Sequence, residues 1–320
     1  MRIVIPDDKD RLFAGHPALE RLRRLGEVAH HTNNAPAPEA LLGRLEEAGV
    51  ILTTRYQTDF KAAGLLDRLP ALRMISVMGT RPRMIDMRRA NALDITVTVT
   101  PGASTPSVAE HTLMLMLALA KRLPAMTAGM RAGEWPRHPG VELAGKTLGL
   151  LGFGNIGRVI CRMARALGMR VLAWSKHMTP TRAAAEGGEA APLDACLGAD
   201  FVVLLLHVTP ETRGLISRER LARMKPTAFL VNTARAALVD MGALYEALRE
   251  ERIAGAGLDV FEPEEPLPAD SPFRRLGNVI LTPHSAWDTD GTQNRFVSLT
   301  VDNIAAWLQG RPQNVVTQDA

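Results

Sequence analysis

Short apolar runs alternate with longer segments of helical period along the chain. A short apolar run between turn-forming residues is typical of a buried strand, whereas apolar residues spaced three and four apart indicate a helix. In the first part of the chain the pattern predicts strands at residues 2–5, 50–52, 74–77 and 95–99, and helices at 18–25, 39–47 and 60–66. Strands that alternate with helices favour right-handed crossovers and a mostly parallel sheet.

The same organisation resumes after a breaker-rich stretch at residues 101–106, which is typical of an interdomain crossing. A helix follows at about residues 107–123 with Leu and Met on nearly every face, so it needs burial on more than one side. Packing in its own core and packing against a second subunit both meet that need. Further strands are predicted at 147–151, 170–174, 201–206, 228–231, 255–258 and 279–281, and a last helix at about 289–309.

Composition and charge argue against several classes of function. The 320 residues suffice for two domains, and scattered arginines with only 4% aromatic residues predict no nucleic-acid binding. No apolar run is long enough to cross a bilayer, and the first residues lack a signal-peptide pattern. We therefore expect no membrane partner and a cytoplasmic location. Cys161 and Cys196 have no metal-ligand spacing, so we expect no metal.

A glycine-rich turn stands between a predicted strand and a helical run. Residues 148–158 read LGLLGFGNIGR, which contains GxGxxG directly after the strand. Gly152 permits a tight turn, Gly154 lets the backbone approach a pyrophosphate, and Gly157 allows close helix–strand packing. The N-terminus of the following helix favours the same anion. The motif alone is weak, but its place between strand and helix predicts a dinucleotide site.

The residues after the next strand bear on the choice of cofactor. NAD-binding proteins place a carboxylate there for the adenosine ribose, whereas this chain has Ser175, Lys176 and His177. Because no carboxylate would repel a 2′-phosphate, we expect NAD or NADP, with NADP slightly favoured. The alternative is that Lys176 and His177 are solvated loop residues.

Polar side chains follow three later strands. Arg235 follows the strand at 228–231, a run of glutamates follows 255–258, and His284 follows 279–281. Ligands of open parallel sheets bind beyond the carboxyl ends of the strands, so these groups are expected near the cofactor. A guanidinium binds a carboxylate through two hydrogen bonds, and a histidine paired with a carboxylate protonates a carbonyl oxygen. Together they predict reduction of a 2-oxo acid, although each alone has an ordinary structural explanation.

The chain resembles the D-isomer-specific 2-hydroxyacid dehydrogenases along nearly its whole length. The matching stretches are PGASTPSVAEHTL, LAGKTLGLLGFGNIG, VNTARAALVD, AGLDVFEPEEP and NVILTPHSAW. The resemblance implies that Arg235 binds the substrate carboxylate, that His284 is the acid/base and that Glu264 is its partner. Glu264 is chosen because it lies five residues after Asp259, although Glu265 directly precedes a proline, as the family glutamate often does.

The resemblance also implies a cofactor site and an architecture. It implies that Gly152, Gly154, Asn155, Ile156 and Gly157 hold the pyrophosphate and that Thr233 and Asp259 line the nicotinamide half of the cofactor. Ser175, Lys176 and His207 are further candidate cofactor residues. The implied fold is α/β with two Rossmann-like, doubly wound parallel-sheet domains. A dinucleotide-binding domain (101–285) is inserted into a flavodoxin-like substrate domain (1–100 plus 286–320). The helix from Ser107 would then belong to a dimer arm, so a homodimer is expected.

The first-domain loop departs from the family pattern. Relatives commonly hold the substrate carboxylate there with the backbone amides of a glycine-rich stretch. This chain keeps Gly79 but continues with Thr80, Arg81, a proline and Arg83, and proline supplies no N–H. We expect Gly79, Thr80 and Arg81 to bind substrate. Arg81 or Arg83 either meets a second acidic group of the substrate or faces solvent.

Two further departures affect the other half of the chain. Trp287 stands where glycine is frequent, so we expect its indole to wall one side of the substrate pocket. His207 lies two residues after Leu205, at whose position a histidine is frequent. These changes indicate an unusual substrate, not a lost activity.

The features together predict an NAD(P)-dependent oxidoreductase that transfers a hydride between nicotinamide and a small 2-oxo acid/D-2-hydroxy acid pair. Glyoxylate and hydroxypyruvate are the first candidates, and phosphoglycerate and other 2-oxo acids remain open. The alternative is a dinucleotide-sensing, corepressor-like dimeric binding protein without significant turnover. Assays with several 2-oxo acids would discriminate between the two.

Overall fold

A computed structural model describes residues 1–54, 58–262 and 265–316, with the side chains of all of these except residues 62 and 63. The chain divides into two units. Unit 1 contains Met1–Ser104 and the described residues from Asp288 onward, and unit 2 contains Thr105–Trp287. The chain therefore leaves unit 1 once and returns to it. The sequence predicted the inserted domain at residues 101–285, so each expected boundary lies a few residues before the one in the structure.

Regular elements run through both units. The strands are β1 (Arg2–Ile5), β2 (Glu27–His30), β3 (Val50–Thr53), β4 (Met74–Val77), β5 (Thr96–Thr98), β6 (Thr147–Leu151), β7 (Arg170–Trp174), β8 (Glu189–Ala190), β9 (Phe201–Leu204), β10 (Phe229–Asn232), β11 (Gly255–Leu258) and β12 (Val279–Leu281). The α-helices are α1 (Pro17–Leu25), α2 (Pro38–Leu45), α3 (Met87–Ala92), α4 (Thr105–Ala120), α5 (Leu123–Arg131), α6 (Asn155–Ala166), α7 (Pro180–Ala184), α8 (Leu193–Leu197), α9 (Arg218–Leu221), α10 (Met241–Arg249) and α11 (Asp290–Leu308). Short 3₁₀ helices are Ala62–Arg68, Ala236–Leu238 and Pro272–Arg275.

Unit 1 is a parallel five-stranded sheet in the order β2-β1-β3-β4-β5. Its central strands β3 and β4 are buried throughout, as expected for a parallel sheet covered on both faces. The C-terminal helix α11 belongs to this unit. The hydroxyl of Ser76 in β4 donates to the Thr300 carbonyl of α11 at 3.2 Å. Asn303 of the same helix donates to the carbonyl of Val99 at 2.8 Å.

Unit 2 is a parallel seven-stranded sheet in the order β12-β11-β10-β9-β6-β7-β8. Successive residues of one strand face different cores. Val202 and Leu230 pack with the side of the sheet that holds α10, whereas Val203 and Val231 pack with the side that holds α4 and α6. The strand order reverses between β6 and β9. In open α/β sheets the ligand binds beyond the carboxyl ends of the strands at such a reversal.

Two helices differ from the sequence-based expectation. The helix expected at 107–123 ends at Ala120, and a second helix begins at Leu123 with Pro124 in its first turn. Proline inside a continuous helix would remove a hydrogen bond and clash with the preceding turn. Arg122 takes the left-handed φ of 52° between the two helices. The helix expected at 60–66 is a 3₁₀ helix, in which Gly64 has a φ of +68°.

Among the described residues no single helix is both long and apolar enough to cross a membrane. Only α4 and α5 taken together, at 64° to each other, have sufficient length and apolar composition.

Candidate active site

The glycine-rich turn that joins β6 to α6 depends on two close approaches. Gly152 has a φ of +112°, which other residues rarely adopt, and a Cβ there would lie 2.7 Å from the carbonyl carbon of Leu205. A Cβ on Gly157 would lie 2.5 Å from the carbonyl oxygen of Gly152. Both positions therefore require glycine. They hold the turn against the chain that leaves β9, at the point where the strand order reverses.

Gly154 has no such constraint within the protein. A Cβ there would meet no atom of the described residues within 4 Å. Gly154 is the N-cap of α6, its position provides no side-chain cap, and Asn155 and Ile156 are the first residues of the helix. The first amides of an α-helix have no partners within the helix and attract anions. The open space at Gly154 thus fits the pyrophosphate of a dinucleotide.

The loop after β7 is cationic and contains an unpartnered hydroxyl. Ser175 Oγ is buried and has no hydrogen-bond partner among the described residues. Lys176 and His177 are exposed. Arg182 donates to the carbonyl oxygen of Phe153 at 2.9 Å and to that of His177 at 3.5 Å, which ties this loop to the glycine-rich turn. Buried hydroxyls normally have a partner, so Ser175 fits a polar group of a ligand.

Arg235 lies in a turn after β10 that Asn232 organises. The amide nitrogen of Asn232 donates to the Arg235 carbonyl at 2.9 Å, and its oxygen accepts from the Ala234 amide at 3.0 Å. Asn232 is fully buried, whereas Arg235 is exposed and donates to the Ala234 carbonyl at 2.5 Å. Sequence reasoning missed Asn232. Its place as a polar residue ending a buried strand was the available signal.

Asp259 follows β11 and is fully buried. Its Oδ1 accepts from the Thr282 hydroxyl at 2.5 Å and from the Ser285 amide at 3.0 Å, and its Oδ2 accepts from the Ala286 amide at 3.0 Å. All three donors belong to the loop after β12. The carboxylate implied for the cofactor's nicotinamide half is therefore in direct contact with the loop that carries His284.

His284 sits in that loop with a left-handed φ of 53°. Its Nδ1 lies 2.7 Å from Oε2 of Glu265, whose Oε1 accepts from the Phe261 amide at 3.1 Å. The two side chains are 35% and 38% exposed, so the pair borders solvent. Glu264, the partner expected from the sequence, lies outside the described residues. The carboxylate that contacts His284 in the structure is that of Glu265.

The remaining predicted cofactor residues lie in the same unit. Thr233 is largely buried, and its hydroxyl lies 2.9 Å from that of Thr112 in α4. His207 is exposed in the chain that continues β9, and its carbonyl accepts from the Thr212 hydroxyl at 2.7 Å. Trp287, predicted for the substrate, is partly buried at the end of unit 2.

The predicted substrate loop follows β4 in unit 1. Gly79 has a φ of +144°, its amide donates to the Thr100 hydroxyl at 2.8 Å, and its carbonyl accepts from the Thr100 amide at 2.8 Å. The Gly79 amide is thus used within unit 1. Thr80 and Arg81 are exposed, and within the described chain their amides have no hydrogen-bond acceptor.

The two thiols do not belong to this chemistry. Burial raises the pKa of Cys161 to about 11 and that of Cys196 to about 12, so both thiols are protonated at neutral pH. In the part of the chain that the structure describes, no three His, Cys, Asp or Glu side chains lie together as metal ligands would.

Residues 113–286 match the NAD-binding domain of the D-isomer specific 2-hydroxyacid dehydrogenases. The chain is also 40% identical over 314 residues to a glyoxylate reductase of Aeropyrum pernix, which covers 94% of this chain and 93% of that relative. The chain belongs to the D-isomer-specific 2-hydroxyacid dehydrogenase family. Members of this family exchange a hydride between a nicotinamide cofactor and a 2-oxo acid/2-hydroxy acid pair.

Solved structures agree with this assignment. A D-lactate dehydrogenase with NAD+ from Lactobacillus jensenii has a TM-score of 0.87 at 26% identity, with 99% of this chain and 100% of that chain covered. An acyclic imino acid reductase in complex with NADPH and D-Arg has a TM-score of 0.82 at 25% identity, with 99% and 100% covered. The predicted fold of two Rossmann-like parallel-sheet domains is confirmed, and a nicotinamide cofactor is supported. The alternative of a corepressor-like sensor has no support from these relatives.

Proposed function

We propose that this dehydrogenase reduces a small 2-oxo acid to its D-2-hydroxy acid, with the hydride supplied by NADPH or NADH when bound. Unit 2 would hold the cofactor and unit 1 would serve as the substrate domain. Arg235, His284 and Glu265 would carry the reaction. Glyoxylate and hydroxypyruvate are the first substrates to test.

The contact between His284 and Glu265 is the observation that carries this proposal. One oxygen of Glu265 is fixed by the Phe261 amide, and the other receives the Nδ1–H of the imidazole. This arrangement leaves Nε2 as the ring atom that exchanges a proton with the substrate oxygen. In reduction Nε2 donates a proton to the carbonyl oxygen as negative charge develops there, and in oxidation it accepts the hydroxyl proton.

Arg235 supplies the cation that a 2-oxo acid requires. Its turn is fixed at the backbone by Asn232, while its guanidinium is exposed. A guanidinium binds a carboxylate through two parallel hydrogen bonds, which orients the neighbouring carbonyl as well as neutralising the acid. Because β10, β11 and β12 are adjacent parallel strands, the loops that carry Arg235, Asp259 and His284 leave the same edge of the sheet.

The β4 loop of unit 1 is proposed as a substrate-binding segment of that unit. Since the Gly79 amide already donates to Thr100, the amides available for this role are those of Thr80 and Arg81. Arg81 and Arg83 are exposed and form no ion pair with the described residues. Their guanidinium groups would suit a substrate with a second acidic group.

NADP is the cofactor that the loop after β7 favours. The buried, unpartnered Ser175 hydroxyl and the exposed Lys176 follow the strand at the position where a ribose-binding carboxylate would exclude a 2′-phosphate. We propose that these two side chains contact the 2′-phosphate. Gly152, Gly154, Asn155, Ile156 and Gly157 would hold the pyrophosphate.

A second copy of the chain is the proposed partner. Several exposed large apolar side chains lie close together in sequence around α4 and α5, namely Met114, Leu123, Met130 and Trp135, the last being 77% exposed. Apolar side chains that cluster on a surface mark interaction sites, and isologous dimers are the commonest assemblies. These four exposed side chains therefore fit the homodimer expected from the sequence.

The decisive experiment is a steady-state assay with glyoxylate, hydroxypyruvate and longer 2-oxo acids, each with NADH and NADPH. We expect turnover with at least one pair, and a loss of about a hundredfold or more in His284→Gln. Cofactor affinity, measured by nicotinamide fluorescence, should change little in that variant. Tight cofactor binding without turnover of any acid would overturn the proposal.

A further inference from the structure

The helix α4 is apolar over most of its surface, yet three of its polar side chains contact strand-end loops of unit 2. The Ser107 hydroxyl donates to the Ala286 carbonyl at 2.7 Å. His111 Nε2 lies 3.0 Å from the Thr282 hydroxyl, and the Thr112 hydroxyl lies 2.9 Å from that of Thr233. Ser107 and His111 are four residues apart and so share one side of the helix, whereas Thr112 points in a different direction. Two of the three contacts are to the loop that carries His284.

His111 and Asp259 are linked through the Thr282 hydroxyl. The single proton of that hydroxyl fixes the direction of both hydrogen bonds. A hydroxyl has one proton, and Thr282 gives it to Asp259 at 2.5 Å. The bond between Thr282 and His111 therefore requires the imidazole to donate through an Nε2–H. The direct distance from His111 Nε2 to Asp259 Oδ1 is 3.6 Å, too long for a hydrogen bond.

The loop that this chain of bonds reaches has an unfavourable backbone conformation. His284 has a φ of 53°, which is uncommon for a residue other than glycine. On one side, Thr282 is held by Asp259 and His111. On the other, the Ser285 and Ala286 amides donate to Asp259. A strained residue persists when its surroundings fix it from several directions, as they do here.

We propose that His111 is a positioning residue for the acid/base His284, acting through Thr282 and Asp259. By donating to Thr282, His111 keeps that hydroxyl directed at Asp259, and Asp259 then holds the loop amides that set the His284 ring against Glu265. This role rests on the proposed function of His284. His111 itself contacts the Thr282 hydroxyl at 3.0 Å and lies 3.6 Å from Asp259.

Burial supports a neutral ring for His111. Its side chain is only 15% exposed, and this burial lowers its pKa, although the nearby Asp259 carboxylate acts in the opposite direction. A neutral imidazole has a single N–H. The hydrogen bond to the Thr282 hydroxyl places that proton on Nε2.

The test compares His111→Leu, which removes the donor, with His111→Gln, whose amide can replace it. We expect His111→Leu to lower kcat about tenfold, the effect of losing one hydrogen bond in the arrangement of the reacting groups. Cofactor affinity should stay within about twofold of the wild type, because the glycine-rich turn is untouched. His111→Gln should recover most of the lost kcat.

Nitrogen NMR of histidine-labelled protein without substrate gives a readout independent of turnover. In the wild type, the neutral His284 ring should be the Nδ1–H tautomer, because Glu265 accepts that proton, and His111 should be the Nε2–H tautomer. In His111→Leu the His284 signal should move towards the tautomer mixture of free imidazole, and in His111→Gln it should stay as in the wild type. The His284→Gln spectrum assigns the signal.

Two controls separate positioning from general destabilisation. Asn278→Ala removes a partly buried hydrogen bond at the opposite end of β12, where the Asn278 amide donates to the Leu248 carbonyl at 3.0 Å. It should leave kcat and the His284 tautomer unchanged. If His111→Leu does not fold, Thr282→Val should give the same two effects and Thr282→Ser should not.

The proposal is overturned if loss of the His111 donor leaves both kcat and the His284 tautomer unchanged, if glutamine fails to restore them, or if Asn278→Ala has the same effect. A wild type that turns over no 2-oxo acid would instead contradict the proposed function. The tautomer measurement would still decide the role of His111 in that case.

Discussion

The imidazole Nδ1 of His284 and the carboxylate Oε2 of Glu265 lie 2.7 Å apart, and the second carboxylate oxygen is fixed by the Phe261 amide. Glu265 is thus held from two sides, one of which is backbone. The pair has the geometry of an oriented acid/base, and it identifies which of two neighbouring glutamates to test first.

Exchange of Glu265 and Glu264 by glutamine is the first prediction. Glu265→Gln should reduce kcat at least about tenfold, because the amide cannot stabilise a charged imidazole as a carboxylate does. Glu264→Gln is the matched variant and should keep nearly full activity. Steady-state kcat values of both variants, measured with the best 2-oxo acid, test this prediction. A larger loss of kcat in Glu264→Gln would make Glu264 the partner of His284.

Replacement of Arg235 by lysine keeps the charge but removes the planar pair of donors. We expect the KM for the 2-oxo acid to rise about tenfold or more, since a single ammonium does not reproduce bidentate binding. Arg223→Lys is the control, because Arg223 forms an exposed ion pair with Asp194 at 2.7 Å. Equal KM values for the 2-oxo acid in the two variants would show that Arg235 does not bind the substrate.

Reversal of charge at Lys176 tests the cofactor assignment. Lys176→Glu should weaken NADPH binding by about tenfold or more and leave NADH affinity equal or improved, because only NADPH carries the 2′-phosphate. Dissociation constants from nicotinamide fluorescence measure both. Lys9→Glu, an exposed change in unit 1, should alter neither. A parallel loss for both cofactors would place Lys176 elsewhere on the dinucleotide.

The pH dependence of stability can be tested at Glu186, which receives hydrogen bonds from Arg158 and Arg162. These bonds lower the pKa of the Glu186 carboxyl. The ionised form is therefore favoured in the folded state. Its stabilising effect is present above the ordinary carboxyl pKa, near 4.5, and is lost as the pH falls through the lowered folded-state value.

Glu186→Gln should accordingly lower the Tm at pH 7, and this difference from the wild type should disappear in acid. The difference should also shrink in high salt, because the cluster lies at the surface. Thermal unfolding of both proteins between pH 3 and 8 is the measurement. Glu142→Gln serves as control, since Glu142 has no ion pair within the described chain. A difference that persists at pH 3 would contradict the sign of the effect.

The homodimer is tested by introducing charge where the exposed apolar residues lie. Trp135→Glu combined with Met130→Glu should shift the protein from dimer to monomer in sedimentation velocity, because two buried charges would oppose association. Leu167→Glu, at an exposed apolar position outside that stretch, should leave the dimer intact. A wild type that sediments as a monomer at micromolar concentration would refute the proposed partner.

The strands and the glycine-rich turn were predictable because their signals are local. The predicted bounds of β1, β4, β6, β7, β11 and β12 coincide with those of the structure. The edge strand β2 was missed, since Glu27–His30 contains few apolar residues and is only partly buried. The break after α4 was also missed, although Pro124 provided a signal.

The candidate site could be predicted only in part. Arg235 and His284 follow strands that the sequence predicted, so their position at the sheet edge could be inferred from the chain. The partner of His284 could not be inferred, because Glu264 and Glu265 are adjacent in the sequence. The structure shows the contact of Glu265, and Glu264 lies outside the described residues. His111 could not be identified either. It lies in an apolar helix, far in sequence from the residues it contacts, and resembles a core position.

The helix α4 carries two different kinds of surface on one backbone. Its polar edge, with Ser107 and His111, is bonded to the loop of His284, while Met114 on the same helix is exposed. A helix moves as a rigid rod over this length, so any molecule that pressed on Met114 would also displace the imidazole donor a single turn away. A contact on the exposed part of α4 would in that way act on the loop of His284, the proposed acid/base, without passing through the cofactor.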